Sequence, residues 1–148
     1  MPLMTERQTL ELITVETLLE RVKTLHTQGY RLAQIGAANV PGYLEVNYSF
    51  AREECLLTLR LQLAGEEPCV PSVSHIYWCA VLYENEMHDL FRLKVEGMAV
   101  DFQGKFYQMA VPYPFGSRKA PVAKPAPEPR PAKPAVPARA AAELAVTA

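Results

Sequence analysis

SVSHIYWCAVLYENEMHD, residues 72–89, decides the fold. Its eight consecutive apolar residues, Ile76 to Tyr83, suit a buried strand on propensity, because aromatics and valine favour strands. Length argues otherwise. An uninterrupted run of 18 residues exceeds the roughly 4–8 of a buried strand, so the stretch is predicted as a helix from Ser72 to Asp89. Ser72, just past Pro71, is its candidate N-cap.

Upstream, Val15, Leu18, Leu19, Val22 and Leu25 recur at helical spacing and predict a helix from Thr14 to Gln28. Thr14 can cap its first amides, Ile13 and Leu18 can form a hydrophobic staple, and Gly29 can stop it in a left-handed conformation. Tyr30–Ala37 reads as a strand, and Pro41-Gly42 suits a type II turn. In YLEVNYSF, Leu44, Val46, Tyr48 and Phe50 alternate with polar residues. In CLLTLRLQL, Cys55, Leu57, Leu59, Leu61 and Leu63 share a face. Two such strands joined by AREE imply an antiparallel hairpin. One or two short strands are expected after Leu90, with a turn near Gln103-Gly104. The order α-β-β-β-α-β-β describes an α+β fold: a two-layer sandwich of a mainly antiparallel sheet and two helices.

Composition divides the chain into a domain over residues 1–116 and a tail over 117–148. In the tail, 7 prolines and 11 alanines fill 18 of 32 positions with no aromatic, a composition that predicts disorder and polyproline II. The body carries 9 Lys/Arg against 14 Asp/Glu, a net of −5, and the tail 6 against 2, a net of +4. An acidic body and a basic tail thus underlie the overall −1. No segment reaches the roughly 20 apolar residues of a membrane span, and MPLMTERQ does not read as a signal peptide. Cys55, Cys69 and Cys79 fit neither a disulfide framework nor a CxxC site. They are expected as reduced, structural thiols, with Cys79 packed inside the apolar run.

In this predicted helix Ile76–Tyr83 wrap more than two full turns, so every side of that stretch is apolar, and a single sheet can cover only one. Either the N-terminal helix and Phe102–Phe115 cover the rest, or a partner protein does. Glu84, Glu86 and Asp89 at the helix end oppose its macrodipole. Pairing of Glu84 with His88 and of Glu86 with Asp89 offsets part of this, and Arg92, Lys94 or a partner's basic groups are the candidates for the remainder. E-x-E-x-H-D is not HExxH, and the chain has no Gly-rich phosphate loop, GxSxG or dinucleotide fingerprint.

The PSVS lead-in, the helix IYWCAVLYENEMHDLF and the following LKVEG resemble the 30 kDa-subunit family of respiratory complex I and its relatives in membrane-bound NiFe hydrogenases. That family's signature is E-(R/K)-E-x-x-D-(L/M)-(F/Y)-G-(I/L). Glu84, Glu86, Asp89, Leu90, Phe91 and Leu93 match it, while Asn85 stands at the basic position and Arg92 at the glycine. Met98-Ala99 follows where the complex I branch continues with His-Pro and an arginine-rich stretch, so the chain is more similar to the Ech-like hydrogenase branch. The resemblance implies a cofactor-free structural or assembly subunit, peripheral to the cytoplasmic face of the cell membrane. It would dock on the large catalytic subunit beside an iron–sulfur small subunit, those partners carrying the NiFe and 4Fe–4S centres. Tyr77, Trp78, Leu82, Glu84, Glu86, Asp89, Phe91 and Arg92 are the expected partner interface, with no catalytic, cofactor or metal residues.

A subunit of an NADH:quinone oxidoreductase-type complex is the alternative within the same class. From other classes come a nucleic-acid-associated protein using the basic tail, which the −5 body opposes, and a small metalloenzyme built on Glu84, Glu86, His88 and Asp89.

Overall fold

The computed structural model describes residues 7–116; the tail predicted from residue 117 onward lies outside them. The elements are β1 (Arg7–Leu12), α1 (Val15–Thr27), β2 (Arg31–Val40), β3 (Tyr43–Arg52), β4 (Cys55–Leu63), β5 (Cys69–Pro71), α2 (Ala80–Phe91) and β6 (Lys94–Glu96). The fold is α+β, with both helices against one face of a four-stranded sheet in the order β1-β4-β3-β2.

Pairing of β2 with β3 and of β3 with β4 is antiparallel, as the alternating patterns require. Gly42, at φ +99°, makes the tight turn that Pro41-Gly42 predicts. Leu44, Val46, Tyr48 and Phe50 from β3 and Leu57, Leu59, Leu61 and Leu63 from β4 are buried on the helix side. On α1, Leu18, Val22 and Leu25 meet them at the predicted spacing. The Thr14 backbone N–H donates to Thr17 Oγ1 at 3.3 Å at the start of α1, and Gly29, at φ +81°, follows its end. The opposite sheet face stays open and lines a shallow depression bearing Gln34, Gly36, Asn47, Ser49, Thr58 and Arg60.

Two features depart from the expected order. A strand precedes α1: β1 pairs parallel with β4, and its Glu11 receives Arg21 of α1 at 2.7 and 2.8 Å. After β4 the chain forms a second, two-stranded parallel sheet of β5 and β6, and no strand lies in 97–116. The left-handed turn at Gln103 and Gly104 is present, at φ +54° and +73°, but it joins irregular segments rather than strands.

The second helix begins eight residues later than Ser72. Ser72 remains tied to the small sheet through its N–H, which donates to Glu96 O at 2.8 Å. The chain then passes through successive turns, with Ile76 and Tyr77 N–H donating to Val73 O and Ala80 N–H to Tyr77 O. Helix α2 proper starts after Cys79. Half of the apolar run is therefore turn, which sends neighbouring side chains in opposite directions: Tyr77 is 8% exposed and Trp78 68%.

A candidate docking face around helix α2

The carboxylates of YENEMHD divide between inside and outside. Glu84 is 2% exposed and reaches back to the segment before the helix. Its Oε1 accepts the Val73 N–H at 2.7 Å and its Oε2 accepts the Ser72 hydroxyl at 2.6 Å. Ser72 Oγ lies 2.6 Å from Ser74 Oγ, which in turn accepts the Ala99 N–H at 3.0 Å. Burial pushes the Glu84 carboxyl up from its ordinary value, opposed by the hydrogen bonds from Ser72, Val73 and Ser74. Tyr48, buried on β3, has its phenol pushed up by burial and then by the Glu84 charge.

Asn85 and Asp89 face inward with it. Asn85 is fully buried: its Nδ2 donates to Val81 O at 2.8 Å and Val100 O at 2.9 Å, and its Oδ1 accepts the Phe102 N–H at 2.9 Å. Asp89, 1% exposed, accepts the Tyr107 N–H at 2.9 Å and lies 3.4 Å from His88 Nδ1. A basic side chain at position 85 would have to be accommodated among these buried backbone groups. Asn fits because it offers both a donor and an acceptor to a backbone running past it.

This placement corrects three expectations. Glu84 does not pair with His88, nor Glu86 with Asp89; His88 is beside Asp89, and Glu86 accepts the Tyr107 hydroxyl at 3.2 Å. Arg92 and Lys94 do not neutralise the helix acids, since Arg92 reaches Glu67 and Lys94 reaches Glu96, each at 3.1 Å. Cys79 is exposed rather than packed, because it lies in the turn before α2. His75, four residues earlier, instead has Nε2 3.0 Å from Gly97 O.

The exposed side of α2 is apolar at its start. Trp78 and Leu82, four residues apart, are 68% and 56% exposed, with half-buried Glu86 a turn further on. Tyr77 points to the core, its hydroxyl donating to Tyr30 O at 2.6 Å and its ring meeting His26 edge-on at 5.1 Å. Phe91 is half-buried against Phe115, their ring centroids 5.5 Å apart. Of the two coverings considered for α2, the Phe102–Phe115 segment crosses part of it, while Trp78 and Leu82 remain uncovered. Sequence reasoning missed Ser72, Ser74 and Asn85 as the organisers of this region. The signal available was a pair of serines two residues apart, one helix-length before an acid.

Arg92 takes the position after α2 in a left-handed conformation, φ +56° and ψ +31°. The sharp exit that glycine would make is thus made by arginine, whose guanidinium also lies 5.9 Å from the Tyr113 ring centroid. Among the described residues, no group of three or more His, Cys, Asp or Glu is placed to hold a metal ion, and no helix is long and apolar enough to cross a membrane.

Residues 12–105 match the family model described as respiratory-chain NADH dehydrogenase, 30 kDa subunit. Among curated proteins no sequence match is found. Among solved structures, a chain from the membrane-bound sulfane sulfur reductase, an archaeal respiratory membrane complex, superposes with a TM-score of 0.61 and 21% identity over 67% of this chain. This chain spans 62% of that chain's length. The trypsin-resistant fragment 1–134 of Nqo5 gives a TM-score of 0.54 and 21% identity, covering 62% of this chain and 80% of that one. At these identities the structural likeness establishes the fold alone.

Proposed function

Because the chain belongs to the respiratory-chain NADH dehydrogenase 30 kDa subunit family, we propose that it is a cofactor-free assembly subunit of a membrane-bound, complex I-like oxidoreductase of the NiFe hydrogenase branch. It docks on the large catalytic subunit beside the iron–sulfur small subunit, peripheral to the cytoplasmic side of the membrane. The observation that carries this reading is the uncovered pair of Trp78, in the turn before α2, and Leu82, in its first turn. An exposed tryptophan next to an exposed leucine is what interface centres use.

The inward-facing acids support a division of labour. Glu84 and Asp89 shape the surface from behind, while Trp78, Leu82, Glu86 and Arg92 meet the partner and Tyr77 and Phe91 back them from the core. The hydrogenase branch is favoured by Met98-Ala99, which follows Gly97 where the complex I branch has His-Pro and an arginine-rich run. A subunit of an NADH:quinone oxidoreductase-type complex is the second reading.

Co-expression with the neighbouring genes tests the proposal. The full chain is expected to co-purify with a large subunit carrying two CxxC motifs, and Trp78→Asp is expected to abolish that while the isolated chain keeps its melting temperature. Co-purification of the Trp78→Asp variant at the wild-type level would overturn this face as the dock. A large subunit lacking the CxxC pairs would favour the second reading.

A further inference from the structure

Residues 99–116 lie across α2 without contributing to the core. None of them is buried, none belongs to a helix or strand, and the buried cluster draws no member from them. What holds them is polar and directed at their backbone. Ala99 N–H is bound by Ser74 Oγ, Val100 O and Phe102 N–H by Asn85, and Tyr107 N–H by Asp89, all at 2.9–3.0 Å. At the far end Phe115 N–H donates to Leu90 O at 2.8 Å, and Phe115 O accepts from Asn39. Of its side chains, Tyr113 lies edge-on to His88 with ring centroids 6.0 Å apart and beside the Arg92 guanidinium, Phe115 packs on Phe91 and the Tyr107 hydroxyl donates to Glu86, while the others pack on one another or stand in solvent. Phe102 and Phe106 have ring centroids 5.4 Å apart, Phe106 and Tyr107 4.7 Å, and Phe102, Tyr107, Val111 and Phe115 are each at least 41% exposed.

We propose that residues 99–116 form a strap that opens from the folded body as a unit. Regions with few buried apolar contacts open at a free energy below global unfolding. Two of its anchors, Asn85 and Asp89, lie four residues apart on α2, so losing one loosens the next. Apart from Phe91, the strap's partners on α2 are the polar side chains of Asn85, Glu86, His88 and Asp89, which water can solvate when it opens.

Hydrogen exchange on the full chain, without any partner, tests the opening. The amides of Ala99, Phe102, Tyr107 and Phe115 are expected to exchange with one common protection factor, about 100-fold or more below that of Val46 and Leu59 in the central strands. Asp89→Ala and the milder Ser74→Ala are each expected to speed all four together by about tenfold, the loss of one hydrogen bond, while the central-strand amides change less. Protection of the four at the central-strand level would overturn the strap. So would four unrelated rates, or variants that accelerate only the amide each one touches. Any of these failures leaves the docking of Trp78 and Leu82 untouched.

Discussion

The Glu84 carboxylate accepts the Val73 backbone N–H at 2.7 Å across eleven residues of chain, joining the middle of α2 to the turn that precedes it. Both partners are buried, so the bond fixes where the helix starts as well as how it sits. Removing the acceptor leaves the Val73 N–H unsatisfied and the Ser72 hydroxyl with Ser74 alone, and a buried unsatisfied group costs about 1–3 kcal/mol. Glu84→Ala is therefore expected to destabilise the domain by about 3 kcal/mol in urea unfolding. Glu84→Gln, which keeps an acceptor for Val73 and offers an amide to Ser72, should cost clearly less.

The same residue sets a pH dependence with a definite sign. Burial raises the folded-state pKa of Glu84 above its ordinary 4.5, so the native state binds this proton more tightly than the unfolded state. The contribution of this group to stability is then greatest below about pH 4 and falls as pH rises through the raised value. Tyr48, the other titrating group facing it from β3, is also pushed up and stays neutral across this window. Wild-type stability relative to Glu84→Gln is expected to decline as pH rises above about 4 and through the raised value of Glu84. A wild-type advantage that grows with pH would show that the hydrogen bonds outweigh burial.

These buried acids also mark the limit of what the sequence reveals. The alternation in YLEVNYSF and CLLTLRLQL leads directly to β3 and β4, because a half-buried antiparallel sheet imposes period two on its side chains. Helix α1 was legible for the same reason at period 3.6. β1 was not: its Leu10 and Leu12 are 51% and 67% exposed on the open sheet face, so backbone pairing to β4 holds the strand without a buried stripe. For α2, apolar residues in turns and apolar residues in a helix look identical when read along the chain. Which carboxylate turns inward depends on serines twelve and ten residues upstream, a tertiary relation that spacing within the helix does not carry. Of the residues expected at a partner surface, Trp78 and Leu82 are exposed, whereas Tyr77, Glu84 and Asp89 face inward.

Arg92 holds φ +56°, where an L side chain costs roughly 1–2 kcal/mol and glycine does not. Its exposed pair with Glu67 is worth at most about 1 kcal/mol. Arg92→Ala keeps the backbone cost and loses the pair, whereas Arg92→Gly loses both. Thermal unfolding is expected to place Arg92→Gly about 1 kcal/mol above Arg92→Ala, close to or above wild type, because glycine favours the position after a helix. Equal stabilities for the two variants would mean that the left-handed turn carries no strain at this site.

Trp78 and Leu82 separate binding from folding. Each is more than half exposed, and surface substitutions away from packed or capped positions usually change stability by no more than about 0.5 kcal/mol. At the centre of an interface the same truncations cost about 2 kcal/mol or more, roughly thirtyfold in affinity. Trp78→Ala and Leu82→Ala are therefore expected to leave the urea midpoint of the isolated chain in place while weakening capture by the large subunit by at least tenfold each. As members of one exposed patch, they should also be non-additive in the double variant. Glu84→Gln serves as the contrasting control: it acts on the body behind the face, so its stability shift should exceed its binding shift. Reversal of that pattern, with Trp78→Ala lowering stability and sparing capture, would place the indole in the fold of the free chain and move the docking face elsewhere.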